Sequence, residues 1–480
     1  MKPSRPVQKN VKKALTAAAA VIILPLFFWR VLLPGLQRDF NPALIRPETM
    51  HGRVLVEYWD MWTSFEGEAM QRIVDKFNES QDRIWVRKTV YSSLNERFLV
   101  SVSGNMAPDL ASIFSVAIPA IAEKRALLRL DDLAEEFGIN EEGYHPVYWD
   151  ICKYRGHLYA LPTTPATLAL HYNRKLFREA GLDPEKPPRT IAELDDMAQR
   201  LTRYDKNGNI EVIGFSPTQP GWWNAMWGIW FGGALWDGNE ALTINCEGNI
   251  RAFEWAQGYS RRFGTDSLQN FQSGFGNFSS PQNPFTSGLV AMELQGVWMY
   301  NLIEKYQPDL DYGVAPFPSA IPGIDDATLV ETNILLIPSN ARHPREAFEF
   351  IAFVQRPENL EQLCLEQRKI CPLKNVSREF LDNHPNPYIQ VFSDLSASPN
   401  AVPYPTLPIW NEMNDSIGSA FTETWLLQKE PRAALDSVQA KINAIWREEL
   451  EMIHMREERE RSMEFKARPD ESVTGEKERR

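Results

Sequence analysis

The 480-residue chain has only four cysteines, and no two of them are spaced C-x-x-C. That excludes a disulfide scaffold and argues against a structural zinc site. Cys364 and Cys371 stand close enough in the chain to pair outside the cytoplasm, or to be two unpaired buried thiols. A basic surplus is also missing. The balance of 51 Lys and Arg against 63 Asp and Glu leaves −12, with nothing to spare for a phosphate backbone, so nucleic acid is excluded as a partner. No nucleophile, metal or cofactor motif stands out. Asp60, Glu66, Glu68 and Glu293 could in principle supply the carboxylate pair of a glycosidase, but none sits in such a signature. The sequence therefore reads as a binder rather than an enzyme, with no cofactor.

Aromatic residues are plentiful. Fifteen tryptophans suit the recognition of sugar rings, whose C–H faces an indole can cover, and they also suit an ordinary core.

At the N-terminus, Lys2, Arg5, Lys9, Lys12 and Lys13 precede an apolar run from Ala14 to Leu33. A run of ~20 residues is long enough for a ~30 Å hydrocarbon layer. The basic stub belongs inside and the remaining chain outside. A cleaved signal is the competing reading, but no small-x-small site follows the run. Residues 1–35 are therefore expected to be a stub and signal-anchor helix, and 36–52, with Pro42 and Pro47, a tether.

The stretch Arg155–Leu201 organises the rest. Gly156 and His157 suit a turn, Leu158–Leu161 a short strand that Pro162 ends, and Leu168, Leu170 and Tyr172 alternate with period two. Asn173 suits an N-cap and Gly181 a helix stop, while Thr190 and Glu193 form a capping box over a core face of Ile191, Leu194, Ala198 and Leu201. The tract Gly156, Tyr159, Ala160, Pro162, then Tyr172, Asn173, Phe177, then Ala180, Gly181, then Pro187, Pro188, Thr190, Glu193, Leu194 resembles the extracellular solute-binding proteins of sugar ABC transporters, the maltose-binding type. Further tracts agree: Gly104 with Ala107-Pro108-Asp109, Phe285–Trp298 with its Gly296-x-Trp, and Pro344–Phe353. The alternating oxygens of Asp205–Asn209 do not make an EF-hand and read as a tight turn.

The resemblance implies an α/β, two-lobe periplasmic-binding-protein-like (type II) fold joined by hinge crossings, with an N-terminal transmembrane helix. Lobe 1 is expected at 53–163 with 316–343, lobe 2 at 164–315 with 344–447, and a charged, disordered tail at 448–480. Tyr312–Pro318 would be the second crossing strand, and Phe285–Trp298 a helix giving way to a short strand. The expected ligand is a mono- or oligosaccharide. It is trapped by a monomer between its lobes and presented to ABC permease subunits in the membrane. A sensor for a signalling partner would share the same cleft.

The residues expected to touch sugar are Trp59, Asp60 and Trp62 in the first loop and Ser115 in the second. Across the cleft they are one of Trp222 and Trp223, then Trp298, and Trp410 after a Pro-rich approach. An ionised Asp60 would accept strong hydrogen bonds from two hydroxyls. Trp223, Trp227 and Trp230 share one helical face, a spacing more typical of core. Asp109 reads as structural. The crossing stretch Thr164–Thr167 lacks the carboxylate of maltose-specific members, so maltodextrin specificity does not carry over.

Overall fold

The computed structural model describes residues 52–91 and 94–467. The expected anchor and tether, and the last thirteen residues of the tail, lie outside them. Contacts divide the chain into two units, 1–55 and 56–480, and the account below concerns the second.

Ten strands form one sheet that runs through both lobes. In chain order they are β1 (Val54–Asp60), β2 (Ile84–Val90), β3 (Leu110–Phe114), β4 (Ala160–Asn173), β5 (Arg203–Tyr204), β6 (Ile210–Phe215), β7 (Val290–Gly296), β8 (Tyr312–Ala315), β9 (Thr328–Leu336) and β10 (Ala401–Pro403). The path is β2-β1-β3-β9-β4-β7-β6-β5, with β8 on β4 and β10 on β9. The 14-residue β4 joins the halves. Its first half pairs with β9, and its second half with β7 and β8. Pro162 does not end this strand, as expected from sequence, but lies within it with Pro165. Pro165 pairs with Thr332 and Pro162 with Ile334, and the ladder shifts register between these two points. Two residues without N–H donors thus fall where the sheet bends between the lobes, where a regular ladder is already broken.

Helices cover the sheet: α1 (Ser64–Ser80), α2 (Leu94–Ser103), α3 (Ile118–Glu123), α4 (Arg174–Glu179), α5 (Ile191–Leu201), α6 (Glu247–Phe263), α7 (Met299–Tyr306), α8 (Pro344–Val354), α9 (Pro357–Gln367), α10 (Ile389–Ala397), α11 (Trp410–Trp425) and α12 (Pro431–Ala467). The caps follow the sequence. Leu176 N–H donates to the Asn173 side chain at 3.0 Å, and Glu193 N–H to Thr190 at 3.1 Å. Leu194, Ala198 and Leu201 are buried on α5. Asp109 is structural: its carboxylate accepts from the backbone of Glu57, Arg342 and His343 at 2.9–3.0 Å.

Two large cores sit side by side. The first holds β1–β3, α1 and the start of β4; the second holds the end of β4, β6, β7, α6, α11 and α12. Four expectations need correction here. Helices α8 and α9, expected in lobe 2, belong to the first core, because Phe350 and Phe353 pack on Phe77 of α1 at 5.3 and 5.2 Å. The segment from Phe317 to Leu329, expected in lobe 1, feeds the second core: Phe317 lies 5.2 Å from Trp230 and 5.6 Å from Trp227. The second crossing is therefore β9, while β8 stays in lobe 2 as an antiparallel neighbour of β4. The stretch before β7 is a series of turns rather than a helix. A third, smaller cluster joins the lobes, with Tyr148 and Ile151 against Ala169, Phe285, Val297 and Phe392. At its centre three buried hydroxyls, Tyr148, Thr167 and Ser396, bond one another at 2.7–3.1 Å.

Helix α12 is longer than the sequence reading allowed: Ile453 is buried in the second core, and the helix continues to Ala467. All four cysteines are free. Among the described residues no helix is long and apolar enough to cross a membrane.

Candidate functional site

The first lobe's wall is the loop between β1 and α1. Strand β1 delivers Asp60 fully buried, and its carboxylate accepts from Trp62 N–H and from the Lys88 ammonium, both at 3.3 Å. Burial raises the Asp60 carboxyl above its usual range, and Lys88 opposes that rise. Asp60 thus fixes the loop and balances Lys88. Its oxygens are not turned out to a ligand. Trp62 is half-buried, its indole N–H is buried without a partner, and the Lys369 ammonium lies 3.9 Å from its ring centroid. Lys369, itself buried, is paired with Glu66 at 3.0 Å. Beside it, the Arg368 guanidinium covers Phe65 of lobe 1 and Tyr300 of lobe 2, 5.6 Å from each ring, so the two walls meet through this side chain.

Hinge strand β9 forms the floor. Glu331 is in register with Ala166 of β4. One of its oxygens is buried without a partner, and Val116 N–H bonds the carboxyl. Burial pushes Glu331 up to about 8. Tyr404 lies close by, and burial first, then the Glu331 charge, raises its phenol. Ser115 is buried at the edge of a narrow gap shared with Val116, Val330 and Tyr404, where lobe 1, hinge and lobe 2 converge.

The second lobe's wall is aromatic. Trp298 caps α7 and is half-buried, with an unpartnered indole N–H. It folds back over its own strand: a Cβ on Gly296 would stand 2.0 Å from its ring, so only glycine fits there. Trp222 is 50% exposed, with Phe278 at 4.5 Å and Trp298 at 6.3 Å between ring centroids.

The structure thus brings Trp222 and Trp298 together on one wall, with Trp62 on the other and Ser115 at the floor. Other expected residues are placed elsewhere. Trp59 packs on Tyr91 at 4.8 Å against the first core. Trp223 is 3% exposed, and Trp227 and Trp230 are fully buried in the second core. Trp410 is also buried, its ring tilted against that of Tyr404 at 5.1 Å. The sequence reading missed Glu66, Lys369, Arg368, Tyr300, Tyr404 and Glu331. The last of these had a visible signal: a lone carboxylate in the apolar run Thr328–Leu336. It stands in register with Ala166, within the crossing Thr164–Thr167 that has no carboxylate of its own.

A family model described as bacterial extracellular solute-binding protein matches residues 64–361, more than half of the chain. The chain is similar to the sn-glycerol-3-phosphate-binding periplasmic protein UgpB of Pectobacterium atrosepticum, 22% identical over 419 residues, 80% of this chain and 90% of that protein. Among solved structures it is similar to CpMnBP1 with mannobiose bound, at a TM-score of 0.72 and 27% identity, covering 81% of this chain and 99% of that one. UgpB of Mycobacterium tuberculosis, in complex with glycerophosphocholine, shares the fold at a TM-score of 0.66 and 21% identity, over 83% of this chain and 100% of that one. A two-lobed sheet with a gap at its hinge and a family match over the same residues lead to one conclusion: the chain belongs to the bacterial extracellular solute-binding protein family.

Proposed function

We propose that this protein is a carbohydrate receptor of an ABC importer, acting without chemistry on its ligand. Trp298 stacks on a sugar ring, with Trp222 beside it. Glu331 and Ser115 accept and donate hydrogen bonds at the floor, and the Trp62–Lys369 wall closes from the other side. The closed form is what a permease receives. Closure favours ligand only insofar as ligand touches both lobes. The carrying observation is the indole wall of Trp298 and Trp222 opposite a polar wall at the hinge of a two-lobed sheet. The likeness to CpMnBP1 with mannobiose bound supports it.

The likeness to UgpB raises glycerol phosphate as the other ligand class. Charge favours the sugar. Both buried cations of the first wall are already matched, Lys88 by Asp60 and Lys369 by Glu66, and the floor adds a further carboxyl. A phosphate dianion would find no uncompensated positive charge in these pairs, and a neutral ligand loses nothing by that. A thermal-shift titration decides between them, because ligand at 100 times Kd stabilises by about 2.7 kcal/mol. Mannobiose is expected to raise Tm and glycerol 3-phosphate to leave it unchanged; the reverse result overturns the reading.

The apolar run Ala14–Leu33 anchors the receptor at the outer face of the cytoplasmic membrane. Membrane protein retaining its original N-terminus is the expected finding, and a mature chain beginning after Leu33 refutes it.

A further inference from the structure

Two of the four cysteines meet in the first core. Helix α9 ends in a Schellman turn just after Cys364: Lys369 N–H donates to the Cys364 carbonyl at 2.9 Å, and Arg368 N–H to the Leu365 carbonyl at 3.0 Å. Arg368 takes the left-handed conformation that this turn requires, at φ 59° and ψ 38°. The turn reverses the chain, and Cys371 then arrives with its thiol in hydrogen-bonding contact with that of Cys364. Cys364 is fully buried and Cys371 is 5% exposed, both in the first core. The other two cysteines are placed differently. Cys152 is buried elsewhere in the same core, and Cys246 stands at the start of α6, where its thiol donates to the Ala234 carbonyl at 3.6 Å.

The short arch between Cys364 and Cys371 carries the side chains that hold the first wall. Gln367 donates from its side chain to the Glu66 carbonyl at 2.9 Å, Lys369 pairs with the Glu66 carboxylate and lies on Trp62, and Arg368 covers Phe65 and Tyr300. Just past Cys371 the chain is fixed again, because the Pro372 carbonyl accepts from His145 N–H at 3.0 Å. An arginine in the left-handed region is costlier than a glycine, so the turn depends on its two ends being held. Cysteines stand at both ends. Two thiols in contact are two hydrogens short of a disulfide, and the chain belongs to an extracellular family, whose compartment is oxidising.

We propose that Cys364 and Cys371 are a dithiol–disulfide pair, reduced in the structure and oxidised outside the cytoplasm, whose bond clamps the arch that bears Gln367, Arg368 and Lys369. The oxidant is a donor disulfide. The Cys371 thiolate attacks one donor sulfur and expels the other as a thiolate. The Cys364 thiolate then attacks the Cys371 sulfur of this mixed disulfide and expels the second donor thiolate. Two protein thiols are oxidised, the donor disulfide is reduced to two thiols, and the protons that left the cysteines end on them. Burial pushes the Cys364 thiol well above its usual range, so the exchange belongs to the folding chain, before the first core closes. Once closed, the same burial keeps reductants from the bond. The clamp goes beyond the carbohydrate reading and does not depend on which ligand the cleft takes.

Thiol trapping tests it on the full chain recovered from the extracytoplasmic side, unfolded in an alkylating reagent without reductant. Cys152 and Cys246 should be alkylated and Cys364 and Cys371 protected. Trypsin cuts after Arg368 and Lys369, inside the arch, so the peptides bearing Cys364 and Cys371 should emerge joined and separate only on reduction. Four alkylated cysteines, or Cys152 bonded in place of either partner, overturn the pair. The clamp is read by amide exchange at Arg368 and Lys369, which should be severalfold faster in Cys364→Ala with Cys371→Ala than in the wild type. Should that variant not fold, the wild type with and without a water-soluble phosphine gives the same comparison. Equal exchange in bonded and unbonded protein overturns the clamp, even where the bond itself is found. Sugar binding enters neither measurement, so these outcomes stand apart from the fate of the carbohydrate reading.

Discussion

The two walls of the cleft are built on opposite plans. The first lobe presents charges that are already spent: Asp60 on Lys88, Glu66 on Lys369, with Lys369 also lying on the face of Trp62. The second lobe presents rings with little polar company, Trp298 folded over Gly296 and Trp222 leaning on Phe278. The charged wall is therefore fixed before any ligand arrives, and its pairs hold the loop in shape. The aromatic wall leaves Trp222 half exposed and the buried Trp298 indole N–H without a partner. Substitutions in the first wall should cost stability first, and those in the second should cost affinity first.

The largest effect is expected at Asp60. Removing one partner of a buried ion pair strands the other charge, at about 3–5 kcal/mol. Asp60→Ala should lower the urea midpoint accordingly, because Lys88 is almost fully buried beside it. The double variant Asp60→Asn with Lys88→Met should recover most of the loss. If Asp60→Ala leaves stability intact and abolishes sugar binding, the division between the walls is wrong, and Asp60 is a ligand contact after all.

Next comes the floor between the walls. Glu331 is held at about 8, well above its unfolded value. Below the unfolded value both states are protonated, and stability does not change with pH. Between there and pH 8 the folded chain keeps a proton that the unfolded chain has released, so stability falls as pH rises, at up to about 1.4 kcal/mol per pH unit. Across pH 5 to 8 that amounts to up to about 4 kcal/mol. Glu331→Gln carries no such charge and should flatten this part of the profile. Parallel melting curves for both proteins over that range would refute the buried-acid account.

Affinity should then respond at the second wall. Trp298→Ala removes a stacking surface and should weaken mannobiose binding by ~1–3 kcal/mol, one to two orders of magnitude. Gly296→Ala tests the same ring without touching it: the new methyl group occupies the ring's place, and the indole must swing away. Both variants should bind poorly while melting close to the wild type. If Trp222→Ala alone matches their effect, the order of importance along the wall is reversed.

The contrast also explains what could be read beforehand. Caps and periodicity are local: Asn173, Thr190 and the buried face of α5 needed only their neighbours in sequence, and all are found in place. At Gly296 a close approach was legible, and the structure shows the approaching group to be the ring of Trp298. Asp60 was misjudged because its partner Lys88 arrives from a separate strand, and no local pattern announces that pairing. Of Trp222 and Trp223 one was expected to face the cleft, and Trp223 is the buried one. Trp410 was misjudged because a tryptophan after a Pro-rich turn looks the same whether it faces solvent or core; its burial is decided by the second core, which segments distant in sequence build. Proline was misread for a related reason. Pro162 terminates an ordinary ladder, but here it sits where the bent β4 leaves one lobe for the other and the partner strand has already slipped register.

The smallest expected effect lies far from the cleft and concerns how the two walls come together. Helix α12 starts in the second core with Ala434, Leu435 and Val438, yet Arg456 reaches Glu123 of α3 at 2.6 Å, and Glu457 meets Arg155. Glu123 also accepts from Tyr154 at 2.8 Å and from Arg155 at 3.2 Å. Glu123, Tyr154 and Arg155 all belong to the first lobe, so this network ties the lobes from outside the cleft. Partly exposed pairs of this kind contribute only about 0–1 kcal/mol. Arg456→Glu should therefore barely move the melting temperature. A hinge needs little bias, however, and a fraction of a kcal/mol shifts an open–closed balance severalfold. Distance measurements between one label on each lobe, without ligand, should show Arg456→Glu more open than the wild type. Raised salt should open the wild type in the same direction, and Glu123→Arg combined with Arg456→Glu should restore closure. Identical distance distributions in all three proteins would mean that the lobes are held by the hinge cluster around Tyr148 alone, and that α12 merely lies alongside.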